Sequence, residues 1–229
     1  MIYYLIASIL IAVAALFART KRAVLAAGIL FYAVQIAAAG LLLWGGLYDT
    51  TSAAFFTFDA LGTLFYLLLV VVSMYVFGHS EAYLQGEDLR SYRLYFALLM
   101  LLTTAIAGAY FANNLAVTWI FLEATTLCSA GIIYHRRTAQ ALEAAWKYVF
   151  VCSTGIAMAY LGILLLAAAT KCETLSYEAV AEAASSGNPL YLKTSFLLIL
   201  SGYSCKLELF PLYTVGIDCL LYTSPSPRD

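Results

Sequence analysis

Long apolar runs recur from one end of this chain to the other, each bounded by a short polar or charged stretch. No other feature constrains the fold as tightly. A helix that crosses the hydrocarbon of a bilayer needs about 20 consecutive, mostly apolar residues. Seven segments meet that description, at about 2–17, 23–48, 59–77, 94–111, 115–134, 142–169 and 190–213. Arg19, Lys21 and Arg22 stop the first, and Asp49, Thr50 and Thr51 close the second. A mixed-charge loop with Glu81, Glu87, Asp88, Arg90 and Arg93 follows the third. Asn113 and Asn114 mark a very short turn after the fourth, and His135, Arg136 and Arg137 end the fifth. The stretch from Thr170 to Pro189 is polar, and its alanines and glutamates predict a short surface helix. The expected fold class is all-α, a polytopic transmembrane helix bundle. The runs are too long and too continuous for barrel strands, which alternate. No linker rich in Pro or Gly divides the chain, and no internal repeat is visible.

Composition agrees. Hydrophobic residues make up 64% of the chain and charged residues 11%, where an ordinary soluble domain carries about 25% charged residues. Lipid must be the solvent for most side chains. A lone signal peptide does not explain runs that recur throughout. The net charge of -1 comes without any basic patch, which argues against nucleic acid as a partner. Five cysteines are scattered without CxxC pairing, and Cys128, Cys152 and Cys205 fall inside apolar segments. There they behave as small hydrophobes, so neither a disulfide framework nor a metal site is expected. No GxGxxG fingerprint, haem motif or cysteine cluster appears, and no redox cofactor is expected.

Loop charge sets orientation. Lys and Arg cluster at the exits of the first and fifth segments, while the exits of the second and fourth carry none. Odd exits are expected to face the cytoplasm, with the N-terminus outside.

Against this apolar background, a few ionisable residues stand out. A charge at the bilayer centre costs about 2.5–3.5 kcal/mol on insertion scales, and such residues face polar interiors when they persist. Glu123 sits near the middle of the fifth segment, in WIFLEATTLCSAG, followed by Thr125, Thr126 and Ser129. Thr126 stands at i+3 and so shares a face with Glu123. The functional reading is a proton-carrying carboxylate; the structural one is a carboxylate hydrogen-bonded to a neighbouring helix. Lys206 lies inside the seventh segment, in LILSGYSCKLELFPLY. Desolvation disfavours the charged form of a lone buried amine, which lets such a lysine exchange a proton. Pro211 follows five residues later and leaves the carbonyl of Leu207 without its usual partner. Broken helices at membrane depth are tolerated where they line a cavity. Snorkelling of Lys206 to the interface is the bland alternative. Glu208 points elsewhere and is an accessory candidate.

Lys147 and Glu143 stand at i, i+4 early in the sixth segment and share a face. They read equally well as an interfacial ion pair or as a relay beside Glu123. Asp59 opens the third segment, where a carboxylate suits the helix dipole. His135, Arg136 and Arg137 read as a topology anchor. An acid and a base held together inside a membrane titrate as a set, and withdrawing the basic partner favours proton uptake by the acid.

At these residues the chain resembles a known family: the proton-translocating, antiporter-like membrane subunits of respiratory complex I, multisubunit sodium/proton antiporters and group 4 hydrogenases. DALGTLFYLLLVVVSMYVFG is similar to the family's third helix. WIFLEATTLCSAG with RRTAQALEAAWKYVFVCSTGIAMAYLGILLL is similar to the hydrogenase-4 component F type, through EATTL and ALEAAWKY. The resemblance covers about Thr57 to Asp218, and the first two segments fit it in topology. It implies that Glu123, Lys206 and Lys147 belong to a proton channel in the first of two inverted repeats, with the seventh helix broken at Pro211. It departs from the family after Pro211, where Tyr213 stands for a histidine and Val215 for a tryptophan.

What the resemblance implies is a membrane subunit without redox chemistry of its own. It would translocate protons within a membrane-bound hydrogenase or NADH:quinone oxidoreductase complex in the inner (plasma) membrane of a prokaryote. Its expected partners are other membrane subunits, peripheral redox subunits at one remove, and the lipid bilayer. Protons are the expected cargo, with sodium as an alternative. A subunit of a multisubunit cation/proton antiporter is the second reading, and a non-conducting structural membrane subunit the third. Residues 219–229, CLLYTSPSPRD, match one reading frame of a transposon-based sequencing adapter at all eleven positions. The expectation is that this tail is not natural and that 1–218 is part of a proton-conducting domain, unable to conduct without its second repeat.

Overall fold

The computed structural model describes residues 2–44, 55–172, 174–185, 187–207 and 209. Glu208, Pro211, Tyr213, Val215 and the tail 219–229 lie outside them, and with them the expected helix break. The chain is all-helical as expected. Its helices are α1 (Ile2–Leu16), α2 (Lys21–Leu43), α3 (Ala60–Tyr83), α4 (Leu89–Phe111), α5 (Leu115–Ile133), α6 (Ala139–Thr170), α7 (Tyr177–Ala184) and α8 (Pro189–Leu207), with a 3-10 turn at Tyr134–Arg136. The helices form two compact units, 1–112 and 113–229.

Among the described residues, five helices are long and apolar enough to cross a membrane: α2, α3, α4, α5 with its following turn, and α6. The expectation was seven. The first segment forms a helix of 15 residues, short of a full span. In α8, Lys193, Thr194, Ser195, Ser201, Ser204 and Lys206 dilute the apolar content. The polar stretch before it does form a short helix, α7.

In the first unit, local chemistry sets where helices begin. Thr20, Asp59 and Asp88 each accept a backbone N–H with the side chain, from Ala23, Gly62 and Ser91. Such caps satisfy donors that a helix start leaves orphaned, so Asp59 is structural, as expected. Phe31, Phe96 and Met100 are fully buried around one core, and Tyr66 and Phe111 around another. The outward face of α3 reads Leu61, Leu64, Leu68, Val71 and Tyr75, all well exposed. On a water-soluble protein such a stripe would mark an interaction surface; on a spanning helix it is the lipid face. Polarity is kept inside instead. Gln35 is fully buried, and its side-chain oxygen accepts the hydroxyls of Tyr4 at 2.5 Å and Tyr66 at 2.8 Å.

The second unit positions the candidate site. Asn114 caps α5, accepting from Ala116 N at 2.9 Å. Leu115 N donates to Leu175 O at 3.0 Å, tying the chain ahead of α7 to the start of α5. Thr138 caps α6, accepting from Ala141 N at 3.0 Å. Arg137, in the turn before it, takes a left-handed backbone. At 32 residues, α6 is about 48 Å long, more than the roughly 30 Å hydrocarbon core. It packs against both α5 and α8.

The α6–α8 contact is a close approach of backbones. A Cβ on Gly202 would meet the carbonyl of Gly155 and stand 2.7 Å from Ala159 Cβ. A Cβ on Gly155 would stand 2.8 Å from Cys205 Cβ, and one on Gly162 2.9 Å from Ser195 O. Small residues at such spacing let helices in lipid come together through dispersion, since no hydrophobic driving force acts there. This packing sets how near Lys206, one turn beyond Gly202, comes to the rest of the unit.

Candidate functional site

Glu123 and Lys206 reach the interior of the second unit from different helices. On α5, Trp119 and Glu123 are one turn apart and both face α6. The Trp119 indole N–H donates to Ile156 O at 2.8 Å, and its ring packs against Tyr160 at 4.7 Å between centroids. The Ser153 hydroxyl donates to Glu123 Oε1 at 2.8 Å. The other oxygen, Oε2, is buried without a hydrogen-bond partner among the described residues. The carboxyl thus faces protein, not lipid, and half of its accepting capacity is unused.

Lys206 extends from α8 to α5. Its ammonium donates to the carbonyl of Leu122 at 2.8 Å and to the hydroxyl of Thr125 at 2.6 Å. Thr125 in turn donates to the same carbonyl at 2.7 Å, and Thr126 adds a longer bond of 3.3 Å. One helix carbonyl therefore gathers three side-chain donors beside Glu123. No direct ion pair joins Lys206 to Glu123 among the described residues. The carboxyl is nonetheless within electrostatic reach of the amine, as are Cys128 and Cys152. An acid and an amine coupled through space, not fused in a salt bridge, can each change charge state without breaking a bidentate contact.

Lys147 is placed elsewhere. It bonds Glu143 Oε1 at 2.7 Å, with the two side chains 52% and 66% exposed. Six residues separate Lys147 from Ser153, which is about 9 Å along the helix and about 240° around it. The pair therefore points away from the face that meets Glu123. Thr126 is fully buried, but the hydroxyl that receives Lys206 belongs to Thr125. His135 is buried, with Nδ1 2.8 Å from Ile132 O, while Arg136 and Arg137 are exposed. Of the three residues read as a topology anchor, the two arginines are exposed and the imidazole folds inward.

Two contributors escaped the sequence reading: Ser153 and the Gly155–Gly202 contact. A serine or threonine in an apolar helix usually bonds its own backbone, so nothing singled out Ser153, and Thr125 was noted only as a polar neighbour of Glu123. The small residues at 155, 159 and 162 did carry a signal, the spacing typical of close helix contacts in lipid.

Known proteins agree with this architecture. Residues 112–217 match the family model described as NADH:quinone oxidoreductase/Mrp antiporter, TM. The match takes in just under half of the chain. The chain is also 31% identical over 173 residues to a hydrogenase-4 component F homolog of Methylacidiphilum infernorum, covering 70% of this chain and 36% of that protein. It is 33% identical over 120 residues to NADH-quinone oxidoreductase subunit N of Deinococcus radiodurans, covering 51% of this chain and 24% of that protein. A subunit of the membrane-bound sulfane sulfur reductase, an archaeal respiratory membrane complex, shares the fold with a TM-score of 0.77 at 22% identity. That similarity covers 94% of this chain and 45% of the archaeal one. The chain thus spans about a third or less of the antiporter-like relatives it matches in sequence. The match of the family model begins one residue before the second unit, the unit that holds Glu123 and Lys206.

Proposed function

We propose that this chain is part of a proton-translocating membrane subunit of an ion-pumping respiratory complex, a membrane-bound hydrogenase or an NADH:quinone oxidoreductase. Glu123 and Lys206 exchange the proton. Ser153 and Thr125 orient them, and Glu143 with Lys147 forms a peripheral pair that tunes the local field. The observation that carries this reading is the placement of Lys206, drawn across to α5 and seated between Leu122 O and Thr125 beside a carboxyl with one oxygen unpaired. A charge inside the bilayer is costly and marks a functional site by default.

The mechanism follows from charge. While Lys206 is protonated, its field favours the carboxylate at Glu123. A proton leaving Lys206 withdraws that field, and Glu123 then takes up a proton. The close α6–α8 contact keeps bulk solvent from that side of the pair, so the coupling is not screened as it would be in bulk. Electron transfer, on this reading, belongs to other subunits. The N-terminus is placed outside and the end of α5 at the cytoplasm of a prokaryotic cell, from the distribution of Lys and Arg.

The family description also names Mrp antiporters, and the second reading is a cation/proton antiporter subunit using the same two residues. Both readings are tested by Glu123→Gln and Lys206→Ala in the uninterrupted subunit within its assembled complex, with acidification followed in inverted vesicles. Each variant is expected to slow proton movement severely, leaving a measurable residual rate, while the complex stays assembled. Translocation at the unsubstituted rate in both would leave only a scaffolding role. Sodium-dependent proton movement without redox turnover would select the antiporter.

A further inference from the structure

Tyr203 stands three residues before Lys206 on α8, so both face the same way. Its hydroxyl is buried and no described residue bonds it. A phenol is both donor and acceptor, and buried polar groups nearly always find partners in protein or ordered water. The site itself has two further unused capacities: Glu123 Oε2 is equally unpartnered among the described residues, and Lys206 uses two of its three N–H donors. The helix register brings these groups to neighbouring levels. Gly155 abuts Gly202 and Cys205, while Ile156 bonds Trp119 and Ser153 bonds Glu123. Tyr203 is therefore level with the first turns of α5, and Lys206 about one turn further along. At that first turn Thr118 and Tyr177 join their hydroxyls at 2.8 Å.

We propose that Tyr203 is a positioning residue of the Glu123–Lys206 site, whose phenol holds an internal water within hydrogen-bonding reach of Lys206. This rests on the proton-translocating reading. Such a water needs two to four partners; Tyr203 and Lys206 supply two. A proton arriving at the water makes it a hydronium ion, which gives a proton to the neutral amine of Lys206 and is water again, leaving Lys206 charged. Tyr203 accepts a hydrogen bond during the transfer, keeps its own proton and ends uncharged. The titratable groups within electrostatic reach are Glu123 and Cys128 of α5 and Cys152 of α6 for Lys206, and Tyr177 of α7 for Tyr203.

The test is Tyr203→Phe in the complete complex, which removes one oxygen and keeps the ring, with translocation measured across pH. The expected result is normal assembly, a rate lower by at least about tenfold, the size of one lost hydrogen bond to a charged group, and a displaced pH profile. An unchanged rate and profile would overturn the proposal. Should the variant not assemble, a high-resolution map of the unsubstituted complex decides. Water bonded to both Tyr203 Oη and Lys206 Nζ supports it, and a protein group on that hydroxyl overturns it. Glu123→Gln runs alongside. If it loses translocation while Tyr203→Phe does not, this inference fails and the translocation reading stands; if it too is unaffected, the translocation reading fails.

Discussion

Substituting Gly202 with alanine tests whether helix packing sets the site. A Cβ there would lie 2.5 Å from Ala159 N and 2.7 Å from Ala159 Cβ, where ordinary contact begins at 3.4 Å. Both obstacles belong to helix backbone or to a methyl group, so neither can swing aside. The carbonyl of Gly155 is nearer still, so relief to 3.4 Å requires α8 to move from α6 by about 1 Å. Overpacking of this kind costs about 1–3 kcal/mol. Lys206 is four residues on, on the same rigid helix, and follows the shift. Its 2.6 Å bond to Thr125 would open to about 3.6 Å, beyond hydrogen-bonding range. Losing a bond made by a charged donor costs about 1.5–3 kcal/mol, or about ten- to a hundredfold in rate if the bond matters to transfer. The assay is proton translocation by the assembled complex, with thermal stability of the detergent-solubilised complex in parallel. Gly78→Ala is the control, since nothing lies within 4 Å of a Cβ at Gly78. That change should be neutral or slightly stabilising through helix propensity. If Gly202→Ala behaves like the control in both measurements, α8 is not held against α6 as described and the packing argument fails.

Other outcomes follow from the same geometry. Ser153→Ala removes the described hydrogen bond to Glu123 and should slow translocation by about ten- to a hundredfold, while Thr154→Ala, whose hydroxyl bonds its own helix at Phe150 O, should have little effect; equal rates would dismiss Ser153. Glu143→Gln and Lys147→Met should each lower stability by less than about 1 kcal/mol, as exposed pairs do, and a double-mutant cycle in thermal unfolding checks this. Leu68→Arg, on the lipid face of α3, should cost about 2.5–3.5 kcal/mol of insertion free energy, visible as reduced membrane integration in a translocon assay. Gln35→Leu should remove the acceptor that the Tyr4 and Tyr66 hydroxyls share, leaving Tyr66 its 3.1 Å bond to the backbone carbonyl of residue 35, and destabilise the first unit by about 1–3 kcal/mol, whereas a conserved melting temperature would argue that water replaces the amide.

Much of this molecule is legible in one dimension because lipid imposes long apolar runs. Boundaries were harder. The third segment was expected to end near 77, but α3 runs on to Tyr83. Gly78, His79, Ser80 and Glu81 read as loop residues, yet Ser80 bonds back to Val76 O at 2.7 Å and the helix continues. The loop charges hid an N-cap: Asp88 starts α4 at Leu89, some residues before apolarity resumes. At the site, Glu123 and Lys206 were visible as charges where none belong. Their neighbours were not. Counting helical positions from Glu123 pointed to Thr126, whereas the approach of α8 selects Thr125. Ser153 becomes meaningful only when α6 lies antiparallel to α5, which periodicity does not reveal. Lys147 shows the converse case, a charge conspicuous in sequence that the helix turns toward Glu143 on an exposed face.

The claim on which the rest depends is that Glu123 and Lys206 act as one coupled unit. Translocation rates of Glu123→Gln, Lys206→Ala and the double variant, in the assembled complex, address it together. Coupled groups give strongly non-additive effects, so the double variant should be no slower than the worse single one. Independent, multiplying losses would contradict the account.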